Sequence, residues 1–432
     1  MTILDCTRVR MRDHTRLPRP PCKLATGLLA GLLALCAQAQ GNGGLSFERA
    51  LQLAGERAPM VAARQAALDA ATQLSTSAAE LPDPRLTVGV DNLPVGGPDR
   101  YTIGREPMTQ RSVGYMQDVP NRAKRAARAE GAQARAEREQ ALLTSERLAV
   151  QREVAQAWLA RWFAERQLAL FGTLEAENAL LRDTVDARVA GGRAMPAEST
   201  MARQDALMLA DRRDELQRER ARAQASLMRW LGSEAAAPLA GAPPPLAVEP
   251  AHLHGAIDQH AELLAFEPML RMARAEAQEV RAAKQGDWNW QVGYSKRGSG
   301  YGDMVSFQFS FELPLWAASR QDPQIAAKLK DAERITAERN DLTRRHREEI
   351  DMQLAELGEL ASKQARLEQS AVPLAAERVA LAQAAYEAAR GDLAAVLTAR
   401  REQAETGLRA IELQAKQYAL RARLNYLIAE KR

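Results

Sequence analysis

Strict alternation of apolar and polar residues is confined to a few short stretches of this chain. In the sharpest, Trp288, Trp290, Val292 and Tyr294 alternate with Asn289, Gln291, Gly293 and Ser295. Past a polar, Gly-containing turn at 296–303, Val305, Phe307, Phe309, Phe311 and Leu313 alternate with Ser306, Gln308, Ser310 and Glu312. This period of two predicts an antiparallel hairpin with one apolar and one polar face. A weaker copy lies upstream: Leu86, Val88 and Val90 on one strand, and Val113, Tyr115 and Val119 on the other, joined by the longer connection 94–110. Strands are therefore expected at about 85–93, 111–119, 288–296 and 304–313.

The remainder reads as helix. A helical stretch of about 35 residues precedes each hairpin. The first opens near Phe47 with Ser46 as a candidate cap and ends at Pro82 and Pro84. The second runs from about Pro250 to Gln285, and Gly286 ends it. Each hairpin closes on a proline, Pro120 or Pro314. Helical stretches of roughly 70 residues follow, at about 122–189 and 321–388, each roughly 100 Å long if continuous. Breaks come next, at Gly191-Gly192 and at Gly391, and a closing helix of about 35 residues completes each passage.

The two passages therefore share one order of elements, as an internal repeat does. At one constant offset Gly192 overlays Ala389, Ala202-Arg203 overlays Ala399-Arg400, and Leu227 overlays Leu424. The organisation expected is a first repeat at 40–234, a Pro-rich linker or strap at 235–251, and a second repeat at 252–432. Two stacked short helices equal one long helix in length. That arithmetic predicts a rod of paired helices, with hairpins at one end and glycine breaks at the other. Ala-rich stretches such as 123–136 and 382–389 let such helices approach closely.

Composition changes this picture at the N-terminus. Arg8, Arg10, Arg12, Arg16, Arg19 and Lys23 precede an apolar run, Leu24 to Leu35, and Ala37-Gln38-Ala39 follows. Residues 1–39 are thus expected to be an export signal, too short in its apolar part to span a membrane. All three cysteines, Cys6, Cys22 and Cys36, lie in it, which leaves no disulfide framework or thiolate metal site beyond it. Cys36 would be the lipidation site of a lipoprotein-type signal, but Leu35 stands where such signals carry a small residue. Six of the 59 basic and two of the 55 acidic residues lie in 1–39, leaving 53 of each. The formal charge of +4 therefore belongs to the leader, and no nucleic-acid partner is expected.

The hairpins carry the functional inference. The second places three of the chain's seven phenylalanines on one face, and no other β-rich region is available to cover it. Four strands cannot close a barrel, which takes about eight or more. A lipid-embedded sheet must close, because lipid satisfies no edge hydrogen bonds. A membrane reading therefore requires several copies to pool their strands.

The chain resembles the TolC-type outer-membrane efflux family. The resemblance rests on Leu45-Ser46-Phe47-Glu48-Arg49-Ala50-Leu51 followed by Ala58-Pro59, on Leu81-Pro82-Asp83-Pro84-Arg85-Leu86, on Val119-Pro120-Asn121-Arg122-Ala123-Lys124-Arg125, and on Tyr386 through Val396-Leu397-Thr398-Ala399-Arg400. Asp287-Trp288-Asn289-Trp290, Tyr301-Gly302-Asp303-Met304-Val305-Ser306, Leu313-Pro314-Leu315-Trp316 and Arg320-Gln321-Asp322-Pro323 resemble its heavy-metal branch, which includes CzcC-like and CusC-like proteins. The resemblance implies a mostly α fold with a small membrane β-barrel portion: a homotrimer with a twelve-stranded barrel in outer-membrane lipid and a twelve-helix periplasmic tunnel. It also implies a periplasmic adaptor (membrane fusion protein) and an inner-membrane pump of the resistance–nodulation–division (RND) class as partners, and heavy-metal cations as cargo.

By the same resemblance the glycine breaks are the periplasmic tips, where the aperture and the adaptor contacts lie. The residues carried over are Gly192, Arg193, Tyr386 and Arg390. The aspartates that TolC-type channels place after the second tip are replaced by Ala395 and Thr398, and the matching acidic position of the first repeat is Glu198. Three copies of Glu198 facing a narrow lumen would attract cations; the competing reading is a first-turn residue favoured by the helix dipole. His252, His254 and His260 are read as solvated linker residues rather than metal ligands, and His346 as exposed. No phosphate loop, mature cysteine nucleophile or His–carboxylate motif points to an enzyme or a cofactor. The alternatives are a drug or organic-solute channel of the same fold, and a periplasmic coiled-coil adaptor or structural protein.

Overall fold

The computed structural model describes residues 44–298 and 300–429. The expected leader and Cys36 lie outside them. The described elements are α1 (Phe47–Arg57), α2 (Pro59–Ser77), β1 (Arg85–Asp91), β2 (Gln110–Val119), α3 (Arg122–Ala190), α4 (Pro196–Leu231), α5 (Pro250–Gly255), α6 (Phe266–Ala282), β3 (Trp288–Arg297), β4 (Met304–Phe311), α7 (Gln321–Arg366), α8 (Val372–Glu387) and α9 (Leu393–Asn425). Among the described residues, no helix is long and apolar enough to cross a membrane.

Three helical stretches are more broken than the sequence suggested. Ala58 is extended and Pro59 starts a new helix, so the opening stretch is α1 plus α2. A proline suits the first helical position because the N–H it lacks there has no intrahelical partner. Ser46 caps α1, its hydroxyl accepting from the Arg49 N–H at 3.2 Å. The stretch from Pro250 is α5, a 3₁₀ turn at Ile257–Gln259, and then α6. The second long helix carries a π turn, Leu367–Ala371, immediately before Pro373. The Val372 N–H reaches back to the Leu367 carbonyl there. A mid-helix proline removes one ladder bond, and the widened turn accommodates the loss.

The single 69-residue helix α3 is the spine, about 100 Å long. Helices α2 and α6 pack on its sheet-proximal part and α4 and α9 on its distal part, while α7 packs on α6 and α9, and α8 on α9. A wall helix of this kind touches neighbours on several sides, so its buried residues form no single stripe.

The strongest core lies midway along the rod. Phe47, Val154, Trp158, Leu227 and Leu231 are buried together, with Phe47 edge-on to Trp158 at 5.4 Å between ring centres. The Pro-rich segment after α4 is a strap bound across this core. Leu45 pairs with Leu239, and the Trp158 indole donates to the Leu45 carbonyl at 3.0 Å. The buried Arg161 donates to the Ala235 carbonyl at 2.6 Å, and Trp162 to that of Gly241 at 3.1 Å. In the second passage, His260 pairs with Ile428 at the comparable place.

The four strands form one antiparallel sheet in the order β1-β2-β3-β4. Its register puts Val88, Val113, Tyr294 and Val305 in one row, Leu86, Tyr115, Val292 and Phe307 in the next, and Val119, Trp288 and Phe311 at the base. Adjacent positions point to the other face, so the opposite rows read Thr87-Gly114-Gly293-Ser306 and Asp118-Asn289-Ser310. The polar face is crowded: a Cβ on Gly114 would meet Thr87 Oγ1 at 2.6 Å, and one on Gly293 would meet Ser306 Oγ at 2.6 Å. The sheet is fixed to the rod by Asp287, which accepts from the Asn121 N–H at 2.9 Å and pairs with Lys124 Nζ at 2.6 Å. Burial opposes ionisation of Asp287. The Lys124 hydrogen bond, the Asn121 N–H and the charges of Lys124 and Arg128 outweigh it and hold the carboxyl below its usual range.

Candidate functional site

Two regions stand out: the distal tip, where the sequence placed its candidate residues, and the uncovered face of the sheet. At the tip, α3 and α8 end in the same way. The Arg193 N–H bonds the Arg188 carbonyl at 2.8 Å and the Gly192 N–H bonds that of Val189 at 3.0 Å. In the other copy the Arg390 N–H bonds the Ala385 carbonyl at 2.9 Å and the Ala389 N–H bonds that of Tyr386 at 3.1 Å. Both are Schellman caps, which require one left-handed residue. Gly192 fills that position at φ +70° in the first tip, and Ala389 fills it at φ +56° in the second. The sequence reading had put the second break at Gly391. That glycine instead packs tightly, its virtual Cβ 3.1 Å from the Ala385 Cβ.

Tyr386 and Glu198, 188 positions apart, meet here. The Tyr386 hydroxyl donates to Glu198 Oε2 at 2.7 Å. Glu198 Oε1 also accepts from the Met195 N–H at 3.1 Å and so caps the start of α4. Glu198 thus sits in the first turn of α4, where its carboxylate both caps the helix and meets the tyrosine. The Tyr386 ring is buried with Val185, Leu393, Val396 and Leu397. Burial, the hydrogen bond to Glu198 and the Glu198 charge push its phenol up to about 12, against an opposing effect of Arg188. The Arg188 guanidinium lies over the ring, 4.3 Å from its centre. Sequence reasoning missed Arg188, since nothing in its spacing ties it to Tyr386. Arg193 and Arg390 enter the tip through their backbone N–H groups, as described above.

One helical layer above, Asp205 is buried between Asn178 Nδ2 at 2.8 Å and Arg401 Nη2 at 2.9 Å. This trio lines a cavity of about 390 Å³ between α3, α4 and α9, floored by Phe171, Leu209 and Leu408. The sequence gave no signal for it, because its members come from three helices.

Two of the histidines fall differently from expectation: His260, read as solvated, is buried, as is His346, whereas His252 and His254 are exposed. His346 is buried, its side chain only 8% exposed, because α7 turns it inward against His260. The two rings stack at 3.6 Å. Burial lowers His260 to about 4, with the neighbouring charges of His346 and Arg152 acting in the same direction. His254 lies 3.3 Å from Asp351. Among the described residues, no group of three or more His, Cys, Asp or Glu is arranged to hold a metal ion.

The apolar rows of the sheet are the other unusual surface. Phe307, Phe309 and Phe311 are 71, 62 and 67% exposed, and Leu86 and Val88 are equally open. β1 and β4 each have one unpaired edge.

No protein-family model and no curated protein sequence matches the chain. Solved structures do. CusC, whose structures describe folding and transmembrane channel formation, superposes with a TM-score of 0.77 at 16% identity, over 89% of this chain and 92% of that one. The outer membrane protein VceC from Vibrio cholerae gives 0.72 at 17% identity, over 88% and 94%. This chain shares their fold. The open state of the MtrE outer membrane channel of Neisseria gonorrhoeae gives 0.68 at 15% identity, over 88% of each chain. The expected combination of a long helical rod with a small antiparallel sheet is thus an architecture found among known outer-membrane channels.

Proposed function

We propose that this protein is the outer-membrane exit channel of a tripartite efflux system, acting as a homotrimer. The observation that carries the reading is the sheet: four strands with two open edges, one polar face, and one largely apolar face whose phenylalanine, leucine and valine side chains are uncovered and which is interrupted by Gln117 beside Trp290 and by Arg111 and Lys296 at the far end. Closing it demands more copies, and three supply twelve strands. In that barrel the phenylalanine rows face lipid, and the Thr, Ser, Asn and Gln rows face a water-filled lumen. The helical rods would continue the lumen through the periplasm to the tips. There an adaptor would dock, and an RND-class pump in the inner membrane would supply the energy. The channel itself performs no chemistry.

At the tip, the Tyr386–Glu198 contact, with Arg188 against the ring, ties α8 to the start of α4 and would hold the aperture closed. Gly192, Arg193 and Arg390 sit on the two turns and would meet the adaptor. Heavy-metal cations are the cargo favoured by the resemblance around 287–323, in preference to organic solutes.

The reading is tested by fractionation and reconstitution. The protein should sediment with outer membranes, run as a heat-labile, detergent-resistant oligomer, and conduct ions in planar bilayers. A freely soluble monomer would refute it. The cargo is tested separately, by deleting the protein and comparing tolerance to zinc, cobalt, cadmium, copper, silver and organic drugs. Unchanged metal tolerance with lost drug tolerance would reassign the cargo and leave the channel intact.

A further inference from the structure

The two strand-to-helix junctions at the base of the sheet are built differently. In the first passage only Pro120 and Asn121 separate β2 from α3, and the Asn121 side chain caps that helix by accepting from the Lys124 N–H at 2.8 Å. In the second, residues 312–320 separate β4 from α7. The longer junction, Glu312-Leu313-Pro314-Leu315-Trp316-Ala317-Ala318-Ser319-Arg320, has two charged residues, one at each end. Its three large apolar side chains all point outward: Leu313, Leu315 and Trp316 are 73, 72 and 66% exposed.

Half of the backbone N–H groups of this segment have a backbone partner. The Leu315 N–H bonds the Leu313 carbonyl at 2.9 Å, the Ser319 and Arg320 N–H groups bond that of Trp316 at 3.2 and 3.1 Å, and the Asp322 N–H bonds that of Ala317 at 2.9 Å. Among the described residues, the N–H groups of Leu313, Trp316, Ala317 and Ala318 have no backbone partner; a turn that presents large apolar groups beside such donors suits the membrane interface, where acyl chains meet headgroup oxygens and water. It is continuous with the apolar face, since Phe311 in the last row of that face lies just before Leu313. Past Glu312, whose carboxylate turns back to accept from the Asp287 N–H at 3.3 Å, the order from sheet to rod is aliphatic, then indole, then guanidinium. This is the order of acyl chain, headgroup region and phosphate across a lipid leaflet, where tryptophan concentrates.

We infer that Leu313, Leu315 and Trp316 form a wedge seated in the phospholipid leaflet at its acyl–headgroup boundary, with Arg320 at the level of the phosphates. The inference rests on the outer-membrane reading of the sheet and extends it to a part of the chain outside the strands. One wedge per chain fixes how deep the sheet sits and leaves the first-passage junction free of lipid contact.

The test uses the full chain with Cys6, Cys22 and Cys36 replaced by serine, in vesicles of phosphatidylcholine and phosphatidylglycerol. Nitroxides are placed at Leu315→Cys, at Phe307→Cys on the apolar face and at Lys330→Cys on the rod. Collision with oxygen, which concentrates in lipid, is compared with collision with a water-soluble nickel chelate. The oxygen-to-nickel ratio at position 315 should fall between the other two and exceed that at 330 severalfold. A ratio equal to that at 330 places the segment in water and overturns the wedge. Exclusion of both reagents at 315 means that a second copy covers it, and also overturns it. If 307 itself shows no preference for oxygen, the membrane reading falls as well; if 307 is lipid-exposed and 315 is not, only the wedge falls. An unlabelled chain gives a second readout. Trp316→Phe should lose part of the tryptophan emission quenched by lipids brominated near the headgroup, the remainder coming from Trp288 in the base row, and unchanged quenching would contradict the inference.

Discussion

Tyr386→Phe isolates one hydrogen bond at the tip. The ring stays, so the packing with Val185, Leu393, Val396 and Leu397 is preserved; only the 2.7 Å bond to Glu198 is lost. A hydrogen bond to a charged group contributes about 1.5–3 kcal/mol. Glu198 is half-buried, and solvent screening brings the expected loss toward about 1 kcal/mol. That corresponds to roughly a fivefold increase in the population of the opened tip. Amide hydrogen exchange over 181–198 and 382–397 should accelerate by that factor, while the mid-rod core around Trp158 keeps its rate. The phenol is pushed up to about 12, so it stays a donor at every neutral pH and the effect should not vary with pH there. In a double-mutant cycle, Glu198→Gln should add little once the hydroxyl is gone. Unchanged exchange in Tyr386→Phe, or full additivity of the two substitutions, would show that the contact does not hold the tip.

Three further outcomes follow from the same geometry. Ala389→Gly relieves a left-handed alanine at φ +56°; it should slow exchange at the second tip and stabilise it by about 1 kcal/mol, whereas Gly192→Ala should do the reverse at the first tip. Phe309→Arg puts a charge on the apolar face and should cost about 2–4 kcal/mol in a bilayer, read as loss of the heat-labile oligomer. Gln308→Arg, one position along on the polar face, should leave the oligomer intact. His260 is 3% exposed and lowered to about 4 from 6.5, so the unfolded chain binds the extra proton first as pH falls. The stability it contributes is complete above about pH 6.5 and is lost on descending toward pH 4, up to about 3 kcal/mol. Denaturant midpoints across that window should fall in the parent chain and flatten in His260→Gln.

The strands were legible because alternation has only one structural meaning: Trp288, Trp290, Val292 and Tyr294 share a face as their spacing requires. Ser46 announced its helix for a similarly local reason. The breaks at Pro59 and at Leu367–Ala371 were less legible. A proline is tolerated at the start of a helix and accommodated inside one, so the residue alone does not say whether the chain bends. His346 was misread because its neighbours Arg344, Arg345 and Arg347 suggest a solvated face, yet the inward direction is set by α7 packing elsewhere in the rod. Tyr386 and Glu198 were each picked out by resemblance, but their contact joins the ends of α8 and α4 and left no trace in either neighbourhood.

The two passages agree in the middle and differ at the ends. Ala202 and Ala399 are both buried, as are Leu227 and Leu424, at the offset that also pairs Gly192 with Ala389. These positions pack against the chain's own helices, where a change of volume is costly in either copy. The divergences lie where the chain must meet something else. One tip carries glycine and Glu198, the other a strained alanine and Asp392, which caps α9 by accepting from the Ala395 N–H at 2.8 Å and has no counterpart of the tyrosine contact. One junction below the sheet has two residues, the other a nine-residue segment with an exposed tryptophan. Helix packing alone would let both tips keep glycine and both junctions stay short. The asymmetry is what the proposed function would require, with an aperture and adaptor at one end of the rod and lipid at the other.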